Sequence, residues 1–295
     1  NNVRSYNLGD RIFDVINTLV LAVLGLSCLL PFLNVLAVSL SAPEAASAGR
    51  VGLLPVGLNV EAYLFALSRK NFVSAIFNSG VRLLLGLTVN MLLTILAAYP
   101  LSKSSRVFPG RTLFAWYFAL TMMVGGGLIP MYLVVTSTGI TNSVWSLILP
   151  YAVPVFNVLV LLNFFRTIPP SIEESALVDG AGAWVILFRI YLPLALPSLA
   201  TLVVFQAVFH WNEWLWGLIF MDTVERYPLA TYLRNILANP NFDSLRLEDI
   251  QQSLRISGRT TRTAQILLGM LPILTIYPFM QRYFVKGLTL GGVKE

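Results

Sequence analysis

The run IFDVINTLVLAVLGLSCLLPFLNVLAVSL, Ile12 to Leu40, contains a single charged residue, Asp14. A helix of about 20 residues crosses the roughly 30 Å hydrocarbon core of a bilayer, so this run is long enough to span a membrane. It also exceeds the roughly 7–15 apolar residues of a signal-peptide core. It therefore reads as a retained helix, although Ala46-Ser47-Ala48 beyond it looks like a cleavage site. Five further apolar stretches follow: Val73 to Pro100, Thr112 to Thr136, Val144 to Phe165, Pro197 to Met221 and Ala264 to Val285. Membrane-spanning strands would require short alternating segments, which these are not. The expected fold class is an all-α integral membrane bundle of six transmembrane helices, a single domain over residues 1–295.

Composition leads to the same class. Hydrophobic residues make up 56% of the 295 and charged residues only 12%, about half the charged share a soluble domain uses to wet its surface. Mean hydropathy is +0.74. The excess of 20 Lys and Arg over 14 Asp and Glu would raise the question of nucleic acid in a soluble protein. Here the basic residues are spread thinly between apolar runs, as in loops that face an anionic leaflet, so lipid and not nucleic acid is the expected partner. The one cysteine, Cys28, lies inside the first run without a second thiol for a disulfide or a metal, and reads as a small packing residue. The chain opens on Asn1, not methionine, so a few preceding residues are expected.

An even number of spans puts both termini on one side. Ten Lys and Arg fall on the side of the termini and nine on the other, so the totals decide nothing. The positive-inside rule applies to short loops, and Leu101 to Arg111 carries three basic residues and no acid, whereas Ser137 to Ser143 carries no charge. Both termini are thus expected in the cytoplasm. Segments 41–72 and 222–263 then face outward, the second mixing six Arg with Asp222, Glu225, Asp243, Glu248 and Asp249, with breaks at Asn239-Pro240 and Ser257-Gly258.

The cytoplasmic segment 166–197 carries the most information. Pro169-Pro170 ends span four, and Ser171 with Glu174 three residues later has the spacing of a capping box, so a short helix is expected from Ile172 to about Asp179. Gly180 and Gly182 supply a sharp turn, and Trp184 to Tyr191 resumes a helical apolar pattern before Pro193 and Pro197. Such an element, apolar on one side and acidic at one end, fits a socket on a partner protein.

Glu174-Ser175-Ala176, three residues, Gly180, nine residues and Ile190-Tyr191-Leu192-Pro193 resemble the Glu-Ala-Ala, Gly, Ile-x-Leu-Pro signature of the permease subunits of bacterial ABC importers, with Ser175 in place of the first Ala. The resemblance implies the type I importer permease fold. It also implies a coupling helix that docks into a groove of the ATP-binding subunit, with Glu173, Glu174, Ser175, Ala176, Asp179, Gly180, Ala181 and Gly182 as the coupling residues. Gly127 to Tyr132, Trp211 to Trp216 and the tail Lys286 to Lys294 are similar to the carbohydrate-uptake branch, the type of the maltose importer's second permease. Asp10 to Asp14 and Gly125 to Gly127 resemble within it the importers of polysaccharide fragments, including the alginate importer. The partners so implied are a second homologous permease, two ATP-binding subunits that hold ATP and Mg, and an extracytoplasmic solute-binding protein. The implied location is the bacterial inner membrane. Related subunits run tails like 286–295 along the ATPase dimer.

Gln206, His210, Glu213 and Gly217 recur at intervals of four, three and four in span five, on one face of a continuous helix. A polar stripe inside a membrane faces a cavity or a partner, so Gln206, His210, Trp211, Asn212 and Glu213, with Asn157 of span four, are candidates for a sugar path. Two roles stay open for Glu213, a path residue or an ion pair to another helix. Trp211, Trp214 and Trp216 can stack on sugar rings or anchor the interface, and Asn157 and Asn163 can equally serve helix packing.

None of the four lysines follows a glycine, so the chain has no Gly-Lys-Ser/Thr phosphate loop, and no metal-ligand cluster or catalytic triad is visible. The expectation is a non-enzyme without a cofactor of its own. A proton-coupled secondary transporter using Glu213 and His210 is the alternative, though it would be expected to carry an internal repeat that this sequence lacks. An intramembrane enzyme would need paired catalytic groups near one face.

Overall fold

The computed structural model describes residues 8–239 and 258–292, from 276 onward as backbone only. Asp243, Glu248, Asp249 and Arg255 of the outward segment, and residues 293–295 of the tail, lie outside the described residues. Among those described, all regular structure is helical. The first part comprises α1 Leu8–Ser39, α2 Pro43–Ser47, α3 Glu61–Ser68 and α4 Lys70–Ser102. Then come α5 Arg111–Met123, α6 Leu128–Ser137, α7 Val144–Ile148, α8 Val155–Thr167 and α9 Pro170–Val178. The remainder is α10 Ala183–Ile186, α11 Leu192–Leu194, α12 Leu196–Asn212, α13 Leu215–Phe220, α14 Leu229–Ala238 and α15 Gly258–Gly292.

Among the described residues two helices are long and apolar enough to cross a bilayer unbroken, Arg11–Ser39 within α1 and Lys70–Ser102. Three more crossings arise only if a bent pair counts as one: α5 with α6 at 117°, the α7 stretch with α8 at 49°, and α10 to α11 with α12 at 80°. The expected uninterrupted spans three and four are therefore corrected. Gly125, Gly126 and Gly127, the last at φ +80°, separate α5 from α6, and Pro154, which lacks an N–H, stands at the start of α8. Span five is corrected too: its helix stops at Asn212, Glu213 and Trp214 form a break, and α13 begins at Leu215. Gln206 and His210 thus share a helix, but Glu213 and Gly217 do not continue it.

The chain forms two compact units. In the first, residues 1–69 and 235–268, Ala37, Val38, Ala46 and Val51 make a small core. It is tied by Asn59 N–H to the Leu40 carbonyl at 2.9 Å and by the Ser39 and Tyr63 hydroxyls at 2.7 Å. Most of α1 exposes apolar side chains, Phe13 and Leu26 among them. Left to water this would be an untenable patch, and lipid is its natural solvent.

The second unit, residues 70–234 and 269–295, is built on α4. Its buried residues, Phe72, Ala75, Ser79, Arg82, Gly86, Asn90, Thr94, Ala98 and Leu101, recur every three or four positions and form one face. Toward its C-terminal end this face meets Val158, Leu161, Leu162 and Phe165 of α8 and Leu202 of α12 in the main apolar core. Its middle is polar and small. Between helices in lipid, close approach and hydrogen bonds replace the hydrophobic driving force, which suits such a seam.

Candidate functional site

Two clusters in the second unit hold the residues that sequence points to. The first is the segment after α8. Its short helix α9 begins at Pro170, not Ile172, with Pro169 as N-cap and no side-chain cap bond. The expected capping box is therefore corrected: proline already suits the first helical position because it has no N–H to satisfy. Ser171 lies inside the helix, where its carbonyl accepts the Ser175 hydroxyl at 2.9 Å. The end of α9 follows expectation. Gly180 sits at φ +79°, its N–H bonds the Leu177 carbonyl at 3.0 Å, and the Ala181 N–H reaches back to Ala176 at 2.9 Å. That pair of bonds is a Schellman turn, which requires a left-handed residue at the glycine position. The resumed helix is also less regular than expected. After α10, residues Leu187–Tyr191 widen into a π turn, with Leu192 N–H on the Leu187 carbonyl. Pro193 cannot donate to the preceding turn, and the register slips by one residue around it.

Glu173 and Glu174, adjacent in sequence, point to different surroundings. Glu173 is half-buried and accepts the Lys103 ammonium on Oε1 at 2.7 Å and the Tyr191 hydroxyl on Oε2 at 2.6 Å. Lys103, one residue beyond α4, lies 4.1 Å from the ring centroid of Tyr99 and 4.0 Å from that of Tyr191. Those rings pack edge-on with each other and with Phe165. Burial holds the Lys103 ammonium below the ordinary lysine range, against the opposing pull of Glu173. Glu174, Ser175, Leu177, Val178, Asp179 and Gly180 are exposed, Val178 to 88%. Ala176 and Ala181 are half-buried against the core, and Gly182 is the exposed N-cap of α10. Ile172, Trp184, Val185 and Phe188 extend the exposed apolar surface.

The second cluster surrounds the break after α12. Arg82, fully buried on α4, donates through Nη1 to the Glu213 carbonyl at 2.9 Å and through Nη2 to Glu213 Oε2 at 2.8 Å. The other carboxylate oxygen accepts the Trp216 N–H at 2.8 Å. Glu213 thus satisfies the first turn of α13 and is itself held by a cation, which is why a helix break is tolerated at this depth. Two turns along α4, His210 Nε2 lies 2.5 Å from Asn90 Oδ1, while Asn90 Nδ2 donates to the Tyr151 and Ala152 carbonyls at 2.6 and 2.9 Å. With the amide nitrogen so engaged, Oδ1 is the acceptor and His210 Nε2 carries the proton. Gly86 makes room for this ring: a Cβ there would lie 2.5 Å from Nε2.

The other expected path residues separate by burial. Gln206 is buried on α12, and Asn157 is buried on α8 with its amide nitrogen unpartnered. Trp211 is buried and donates to the Gly269 carbonyl at 3.1 Å. Asn212 is exposed. Trp214 lies under the Arg234 guanidinium, 5.2 Å from its centre. Sequence reasoning did not single out Arg82, Gly86, Asn90 or Lys103. The available signal was a lone arginine inside an apolar run, which demands an acid on another helix.

Against known proteins, residues 2–290 match the family described as binding-protein-dependent transport system inner membrane component. The chain is 34% identical to the polygalacturonan/rhamnogalacturonan transport system permease protein YtcP of Bacillus subtilis (strain 168), covering 97% of this chain and 99% of that one. It is 29% identical to the arabinooligosaccharides transport system permease protein AraQ of the same organism, over 82% and 84% of the two chains. Among solved structures, it superposes with a TM-score of 0.89 at 31% identity on a chain of a bacterial ABC transporter involved in import of the acidic polysaccharide alginate. That match covers 95% of this chain and 99% of the other. A second chain, from a bacterial alginate ABC transporter in complex with an alginate pentasaccharide-bound periplasmic protein, gives 0.62 at 17% identity over 92% and 93%, a likeness of fold alone.

Proposed function

Because the chain belongs to the binding-protein-dependent transport system inner membrane component family and is a sugar ABC importer permease, we propose that it forms half of an ATP-driven translocation path for oligosaccharides of acidic polysaccharides. Alginate fragments are among the inferred cargo. The complete importer in this reading holds a second, related permease, two ATP-binding subunits that carry ATP and Mg, and a solute-binding protein outside the membrane. The observation that carries the coupling is the Schellman-turned helix α9, which leaves Glu174, Leu177, Val178 and Asp179 free for a partner while its base is tied to the bundle. Force from ATPase closure would enter there and rock the two permeases as rigid bodies.

The whole chain acts as one membrane domain in this reading. Its sixth span lies in α15, both termini are cytoplasmic, and segments 41–72 and 222–263 receive the binding protein. The continuation of α15 to Gly292 supports an ordered tail. We assign Asn212, the exposed member of the expected path residues, to the path. Gln206, His210, Trp211, Glu213 and Asn157 build the wall behind it.

The acidic cargo is supported by the two relatives whose names carry polygalacturonan and alginate. The test is the ATPase rate of the reconstituted importer with its binding protein loaded from a panel of neutral and acidic oligosaccharides. Stimulation by uronate oligomers is expected. Response only to neutral malto-oligomers would remove the acidic cargo, and response only to peptides would overturn the carbohydrate class.

A further inference from the structure

Among the described residues α9 buries none of its side chains fully, and the side-chain hydrogen bonds that tie this helix to other elements are all accepted by Glu173. Besides these, only half-buried Ala176 packs it on the core. A helix so lightly attached transmits a push only if its polar joint is stiff. The joint here has that character. Both carboxylate oxygens of Glu173 are occupied, one by Lys103 and one by Tyr191, and the lysine head is held between two aromatic rings. Lys103 follows α4 directly, and Tyr191 closes the π turn that leads to α12. One acid thus joins the loop to two membrane helices. Consecutive helical residues lie about 100° apart around the axis, so fixing Glu173 inward fixes Glu174 toward the exposed side.

We infer that Lys103, Glu173 and Tyr191 form a mooring that makes the coupling loop and α4 move as one body, with Glu173 a positioning residue for energy coupling; this rests on the importer reading above. The mooring keeps the cytoplasmic end of α4 and the base of α9 at one fixed separation through the ATPase cycle.

The test uses the full complex purified through a tag on this chain, in a Cys28→Ser background with spin labels at Ser104→Cys and Ser171→Cys, both exposed positions. Dipolar coupling between the labels is read without nucleotide and after trapping with ATP and vanadate. The expected result is one narrow separation, the same in both states. It should broaden and become state-dependent in Lys103→Met, and return in the charge swap Lys103→Glu with Glu173→Lys. Should Lys103→Met not yield complex, Tyr191→Phe, which deletes a single hydroxyl from the same carboxylate, is read in the same way. A separation that changes between states with the mooring intact, or stays narrow in the broken variants, overturns the inference while leaving the importer reading in place. A complex without ATP-binding subunits overturns both.

Discussion

Two ion pairs of nearly equal length hold this protein in different ways. Arg82 and Glu213 meet at 2.8 Å with the arginine side chain wholly buried and the glutamate 12% exposed; Lys103 and Glu173 meet at 2.7 Å with 9% and 23% exposed. The first lies in the middle of the α4 face and repairs a break in a membrane helix. The second lies where α4 ends and ties a surface helix to the bundle. The same chemistry is therefore costly to break where water cannot replace a lost partner, and cheaper to break where it can. Depth, not distance, sets what each pair is worth.

The largest expected effect comes from breaking the deep pair. Arg82→Leu should lower stability by about 3–5 kcal/mol, since it strands a carboxylate away from water. Adding Glu213→Leu should recover part of that loss, because the stranded charge disappears while the Trp216 N–H loses its acceptor. Thermal unfolding of the detergent-solubilised protein reads both. If the double variant is no more stable than the single one, the deep pair is not the stranded-charge case described here.

A second comparison lies on the same helix. Gly86→Ala places a methyl against the His210 ring and should cost about 1–3 kcal/mol, whereas Gly80, with nothing within 4 Å of an added Cβ, should accept Ala with a gain of up to about 1 kcal/mol. Equal effects at the two sites would contradict the close approach of α4 and α12.

Lys103→Met should cost only about 1 kcal/mol in the same assay, since Glu173 can turn to water, and Lys103→Arg should cost less. A loss as large as that of Arg82→Leu would erase the contrast between the two pairs. The smallest effect is expected from Ser171→Ala, within about 0.5 kcal/mol. A cost of about 1 kcal/mol or more would restore the capping box that α9 lacks.

The membrane class, the turn at Gly180 and the helix before it were legible because each depends on residues close together in the sequence: apolar length, proline and glycine. The breaks at Gly125 to Gly127 and at Glu213 were less so. The same apolar run reads as one span whether its helix continues or bends, and what stabilises the bend at Glu213 is Arg82, 131 residues away. The different surroundings of Glu173 and Glu174 were invisible for the same reason. Their partners Lys103 and Tyr191 lie 70 and 18 residues off, and only the fold brings both to one carboxylate.

The central claim is that the 166–197 segment passes ATP-driven motion to the membrane helices, and Gly180 is where it is most directly tested. At φ +79° a β-branched residue is strained by roughly 1–2 kcal/mol, while an added Cβ meets nothing within 4 Å. Gly180→Val should therefore disturb the turn without disturbing the bundle. In proteoliposomes holding the complete importer and its loaded binding protein, we predict normal membrane insertion and continued ATP hydrolysis with oligosaccharide uptake lost. Uptake at the unmodified rate would contradict the account.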